Sequence, residues 1–96
     1  MLKIELQGQV LLIQGELNRQ TVPTVEPCKA LSSAKGAVEF RLGQLQQVDT
    51  AGLAWLIHQL ALAKQQQLQI RLTQVPEQLR QIASVGGVLN LLPIES

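Results

Sequence analysis

The stretch Val48-Asp49-Thr50-Ala51-Gly52-Leu53-Ala54-Trp55-Leu56 decides the reading of this chain. It follows a strand-like segment and places a hydroxyl residue where a polar turn becomes a strongly apolar helix. Asp and Thr are favoured at helix starts because their side-chain oxygens accept first-turn N–H groups, a cap worth about 1 kcal/mol. The same N–H groups carry partial positive charge and favour an anion or a phosphorylated side chain nearby. Simple capping and a functional Thr50 hydroxyl are both compatible with this pattern, since a cap residue sits at a tip that a partner can reach.

Outward from that stretch, the alternation of apolar residues marks strands. Leu2, Ile4 and Leu6 alternate with Lys3, Glu5 and Gln7, which predicts a half-buried strand. Gly8-Gln9 turns the chain into Val10-Leu11-Leu12-Ile13, a more buried strand closing at Gly15, and the pair reads as a hairpin. Thr21 to Ser33 is expected to hold a helix capped by Thr24 and ended by Gly36, with Pro27 tolerated only in its first turn. Val38, Phe40 and Leu42 predict a third strand, Gly43 to Gln47 a polar loop, and the helix from Thr50 reaches about Gln66. Leu68, Ile70 and Leu72 predict a fourth strand. Pro76 opens another helix with Leu79, Ile82 and Ala83 on one face, and Gly86-Gly87 stops it. Leu89 to Ile94 is expected to add a short edge strand. This order implies one domain, residues 1–96, with an α/β fold. Its mixed sheet of four to five strands carries helices stacked mainly on one face, because most strands alternate cleanly.

The helix after Asp49 is apolar on two sides. Wound at about 100° per residue, Leu53, Leu56, Ile57, Leu60 and Ala63 form one stripe, expected to cover the sheet. Ala51, Trp55, His58 and Leu62 fall on the opposite stripe, where a sheet-covering helix normally carries charge. Either a neighbouring element covers Trp55, or the stripe docks on another protein with the indole as anchor, as aromatic residues dominate interface energetics. The same stripe could serve a homodimer.

Composition excludes several functions. The chain has 96 residues, 46% of them apolar and 16% charged, with a formal net charge of +1. Lysines and arginines are scattered, and Phe40 and Trp55 are the sole aromatic residues, so neither a basic stripe nor a stacking platform for nucleic acid exists. Cys28 is alone, which rules out an intramolecular disulfide and fits a small core filler. Met1-Leu2-Lys3-Ile4-Glu5 is unlike a secretory leader, and the longest apolar run, Ala51 to Ile57, is too short to span a bilayer. These features predict a cytoplasmic domain that meets a membrane only through a partner.

No catalytic constellation is legible. One His, one Cys and one Asp would all have to converge for a triad or a metal site, and His58 lies two turns along the helix from Asp49. His58 reads as an interface or surface imidazole. There is no phosphate-binding loop, because Gly86-Gly87 is better explained as a helix stop. No cofactor and no metal are expected.

Val48-Asp49-Thr50-Ala51-Gly52-Leu53 resembles the D-[ST]-x-G-[LI] signature of STAS domains, the family named after sulfate transporters and anti-sigma factor antagonists. Gly15-Glu16-Leu17-Asn18 is similar to that family's G-E-L-D element, and the resemblance covers essentially the whole chain. It implies one of two functions. In anti-sigma factor antagonists the residue matching Thr50 is usually a Ser phosphorylated by a partner kinase, and the added charge breaks an interface. In the B subunits of Mla phospholipid transport complexes, a stand-alone STAS domain binds the cytoplasmic ATPase of an inner-membrane ABC system, commonly with Thr at this position. Gly52-Leu53-Ala54-Trp55-Leu56-Ile57-His58 and Leu62-Ala63-Lys64-Gln65-Gln66 look like the second class, and the chain ends soon after Leu91-Leu92-Pro93 where antagonists usually continue. Asn18 departs from the frequent Asp and weakens the phospho-switch reading.

The resemblance therefore implies a non-catalytic subunit at the inner-membrane face, partnered by an ABC transporter ATPase and supporting outer-membrane lipid asymmetry. The expected contact tip is Thr50, Ala51 and Gly52, extended along the helix by Trp55, His58 and Leu62. Asp49 shapes the turn, and Asn18 and Arg19 flank it from the neighbouring loop. Thr50 is the candidate phosphorylation site of the alternative, antagonist-type reading.

Overall fold

A tight hairpin opens the fold. In the computed structural model, which describes residues 1–25 and 29–95, β1 (Leu2–Gln7) and β2 (Val10–Leu17) pair antiparallel with Leu2 opposite Gly15 and Gln7 opposite Val10. Gly8 supplies the left-handed backbone of the turn, with φ of 60°. β3 (Ala37–Arg41), β4 (Leu45–Val48) and β5 (Gln69–Thr73) complete a five-stranded sheet. The long β2 serves two parallel neighbours: Val10 to Leu12 pair with β3, and Gly15 to Leu17 pair with β4. The register shifts at Gly15, where φ is 98° and any Cβ would run into the Met1 carbonyl oxygen. A glycine bulge thus lets one strand switch partners. β5 lies outside β3, in parallel.

α1 (Thr50–Gln65) and α2 (Glu77–Val85) stack on one face of this sheet, as the alternating strands require. The core between them contains Leu11, Ile13, Val38, Phe40, Leu56, Leu72 and Leu79, each almost completely buried. α2 turns Leu79 and Ala83 inward with Ile82 half-buried, and follows Pro76, as expected. The opposite face of the sheet is polar. There Glu39 gathers Thr73 Oγ1 (2.6 Å), Arg41 Nε (3.0 Å) and Arg71 Nη2 (3.3 Å). The Thr73 hydrogen bond, then that of Arg41, hold its carboxyl below the ordinary carboxylate value.

Four expectations are corrected. Leu45–Val48 is a strand rather than part of a polar loop: its burial reads inward at Leu45 and Val48 and outward at Gln46 and Gln47. The described part of Thr21 to Ser33 holds a short 3-10 turn, Val22–Val25, instead of a regular helix. A helix begun at Pro23 would need an N–H at position 27, where the sequence has proline, and Thr24 bonds back to the Thr21 carbonyl oxygen rather than capping. Pro27 and Cys28, and so the proposed packing of that thiol, lie outside the described residues. Leu89 to Ile94 forms a 3-10 turn, Leu89–Leu91, and adds one bridge from Ile94 to Leu72 instead of a strand.

The last correction concerns α1. Trp55 is 3% exposed and belongs to the core. Gly52 explains why: it is buried so tightly against β2 that a Cβ would meet the Leu17 carbonyl oxygen. This close approach rolls α1, so that Gly52, Trp55, Leu56, Gln59 and Ala63 form the inward stripe together with Leu53. Neither the indole nor Gly52 is presented to a partner. Ala54, His58, Ala61, Leu62 and Gln65 form the outward face instead, with Ala51 half-exposed beside them.

Candidate functional site

The first turn of α1 is built by hydrogen bonds from three directions. Asp49 is the N-cap, in extended backbone, and its Oδ1 accepts the Gly52 N–H at 2.9 Å. Its Oδ2 accepts the Arg19 N–H at 3.2 Å, and its own N–H donates to the Leu17 carbonyl oxygen at 3.2 Å. The turn is thereby tied to the end of β2 and to the loop that follows it. From the other side, Gln78 on α2 accepts the Val48 N–H at 2.9 Å.

Asn18 organises the flanking loop. Its side-chain oxygen accepts the N–H groups of Gln20 and Thr21, both at 3.0 Å, and its amide donates to Gln47 Oε1 at 2.8 Å. Thr21 locks the same loop by donating its hydroxyl to the Glu16 carbonyl oxygen at 2.7 Å. Asn18 is consequently buried and structural, while Arg19 and Gln20 are exposed. An aspartate has no amide N–H to offer Gln47, which gives Asn18 a physical role at the position where it departs from the family pattern.

Two depressions meet at Thr50. One is a polar cleft of about 490 Å³ lined by Asn18, Arg19, Gln47, Asp49, Ala51 and Gln78 as well as Thr50. The other is an apolar groove of about 410 Å³ between α1 and α2, lined by Leu53, Ile82, Val85 and again Thr50. Val85, at 91% exposure, stands fully in solvent on its rim. Thr50 itself is exposed at the first helical position. Its amide and that of Ala51 are the first-turn donors without an acceptor among the described residues, because Gly52 and Leu53 donate to Asp49.

Of the residues singled out from the sequence, the fold brings Asn18, Arg19, Asp49, Thr50 and Ala51 into one cleft. His58 and Leu62 lie exposed further along α1, Leu62 at 38%. Gly52 and Trp55 lie beneath the surface. Sequence reasoning missed Gln47 and Gln78, which close the cleft, and Ile82 and Val85, which build the groove. Gln47 and Gln78 had no distinguishing signal in so glutamine-rich a chain. Val85 did have one: it is an apolar residue off the buried stripe of α2, directly before the Gly86-Gly87 stop.

A mixed sheet covered on one face by helices, with an exposed hydroxyl at the first turn of the helix after β4, defines a STAS-type domain. The comparison with protein families is more specific: a model described as "Mlab, STAS domain" matches residues 1–93, so the chain belongs to the MlaB-like STAS family. A search among curated proteins returned no match. Among solved structures, a sulfate transporter family protein from Wolinella succinogenes superposes with a TM-score of 0.71 at 14% identity, over 96% of this chain and 80% of that one. The unphosphorylated anti-sigma factor antagonist SpoIIAA gives a TM-score of 0.67 at 13% identity, over 100% of this chain and 88% of that one. A candidate anti-sigma factor antagonist from Thermotoga maritima gives 0.73 at 13% identity, over 100% and 86%. At such identities these likenesses show the fold alone.

Proposed function

We propose that this domain is a non-catalytic accessory subunit of an Mla-type ABC phospholipid transporter. It binds the cytoplasmic ATPase at the inner-membrane face and supports the assembly and activity of the complex. The name of the matching family points this way. The observation that carries the reading is the position of Thr50, which alone among the described residues lines both the polar cleft and the apolar groove. An exposed apolar rim beside a hydrogen-bonding cleft is the composition of a protein-binding surface, with a dry contact next to polar contacts that fix orientation. Asp49 is engaged through both carboxylate oxygens as a cap and loop anchor and His58 lies two turns away, so the tip brings no acid–base pair together among the described residues. No helix among the described residues is long and apolar enough to cross a membrane; in the proposed role the membrane is met through the complex.

The test is co-purification with the ABC ATPase subunit encoded by the same organism. Val85→Glu and Leu62→Glu are both surface changes. Val85→Glu is expected to abolish capture by charging the groove, and Leu62→Glu to weaken it if contact continues along α1. Trp55 is unsuitable as a probe, because replacing a core indole destabilises the domain and would lower capture for that reason alone. Capture by Val85→Glu at the parent level would overturn the interface.

The exposed hydroxyl of Thr50 also favours a second reading, an anti-sigma factor antagonist switched by phosphorylation there. Peptide mass mapping after incubation with the organism's serine kinases decides it. A phosphate on Thr50 supports the switch, and an unmodified chain counts against it.

A further inference from the structure

We propose that the outer edge of β1 pairs with β1 of a second copy of this chain, in an antiparallel register centred on Ile4. β1 stands at the end of the sheet and, among the described residues, pairs with β2 alone. The phase of the hairpin says which backbone groups are free. Glu16 donates its N–H to the Met1 carbonyl oxygen at 3.0 Å, so Met1, Lys3, Glu5 and Gln7 aim their backbone groups at β2. By the same alternation Leu2, Ile4 and Leu6 aim theirs outward, where no backbone partner lies among the described residues.

The sequence of this edge is complementary to itself. With a two-fold axis at Ile4, Leu2 faces Leu6 of the second copy, Ile4 faces Ile4, and Lys3 faces Glu5. The outward groups then form about six hydrogen bonds, and Lys3–Glu5 falls at the non-hydrogen-bonded position where cross-strand side chains come closest. Within one chain Lys3 Nζ already lies 3.4 Å from Glu5 Oε1, with the Lys3 side chain exposed and that of Glu5 part-exposed at 39%, so the carboxylate can still be reached by a second ammonium group.

Burial points the same way. Leu2, Ile4 and Leu6 are half-buried beside the fully buried Leu11 and Ile13 of β2, so a continuing sheet would cover the apolar surface they leave open. A lysine on an edge strand ordinarily keeps copies apart. Here Glu5 makes the lysine attractive in one register and direction, whereas an in-register parallel pairing sets Lys3 against Lys3. No residue of this edge lines the Thr50 cleft or the apolar groove, so the surface is separate from that site.

The test is sedimentation of the full chain from micromolar to millimolar concentration, with amide exchange followed in parallel. A concentration-dependent dimer is expected, with protection gained at the amides of Leu2, Ile4 and Leu6 and unchanged at Lys3 and Glu5. Lys3→Glu or Glu5→Lys alone is expected to weaken the dimer by about tenfold, because both cross-strand pairs become repulsive. The double variant K3E/E5K restores complementarity and recovers it. A monomer at every concentration would overturn the proposal. So would a dimer indifferent to both single reversals, or one protected on α1 instead.

Discussion

Arg19 donates its backbone N–H to the Asp49 carboxylate at 3.2 Å, across thirty positions of sequence. The other oxygen of the same carboxylate caps Gly52 at 2.9 Å. One side chain thus fixes both the start of α1 and the loop beside it. Asp49→Ala is expected to lose about 1–2 kcal/mol of unfolding free energy, the upper range for a helix cap, because two acceptors vanish together. Asp49→Asn keeps one acceptor and should lose less. Chemical denaturation of the three proteins checks the order, and equal stability of Asp49→Ala and the parent would contradict it.

Gln59 and Trp55 sit one turn apart on the inward stripe of α1. Gln59 Nε2 and Trp55 Nε1 are buried without a hydrogen-bond partner among the described residues. Desolvating an unpaired amide costs about 1–3 kcal/mol, whereas leucine fills similar space without that penalty. Gln59→Leu should therefore raise the melting temperature, while Trp55→Ala should lower stability by about 3–5 kcal/mol through the cavity it leaves. A destabilised Gln59→Leu variant would mean that the amide serves a contact its burial does not reveal.

The same stripe shows how far the sequence could be read. The strands from Leu2, Val10, Val38 and Leu68 and both helices are legible because apolar residues recur at the period of each element. Leu45–Val48 escaped because four residues with two central glutamines give no alternation to detect. At the site, Asn18, Arg19, Asp49 and Thr50 were legible through a local cap and a sequence pattern. The orientation of Trp55 was not. It depends on how closely Gly52 approaches Leu17, a distance between two elements far apart in sequence, and on a polar Gln59 turned inward against the usual pattern. Gln78 reached the cleft through tertiary packing alone.

Glu39 should make the fold acid-sensitive. Its carboxyl is held below the ordinary value first by the Thr73 hydroxyl, then by Arg41, with Arg71 adding charge. A carboxylate whose value is depressed by folding stabilises the native state above its unfolded value, and that stabilisation disappears as pH falls through the folded one. Melting temperature followed from neutral pH into the acid range should decline more steeply for the parent than for Glu39→Gln. Thr73→Val, which removes the leading cause, should also flatten the decline. Parallel curves for all three would show that this network does not set the acid response.

Thr50→Glu separates the tip's role in folding from its role in recognition. An acidic residue in the first turn of a helix is favoured by the partial positive charge there, and the side chain is exposed, so the melting temperature should stay near that of the parent. Recognition is a different matter. A carboxylate at the seam between groove and cleft lies beside Asp49, and a partner covering the groove would have to strip its water. Capture of the ABC ATPase should fall by about tenfold or more, the cost of roughly one poorly compensated charge at an interface rim. Thr50→Val keeps the shape and loses only the hydroxyl, and should retain capture if the seam is read by packing. Normal capture by Thr50→Glu would move the interface away from the start of α1.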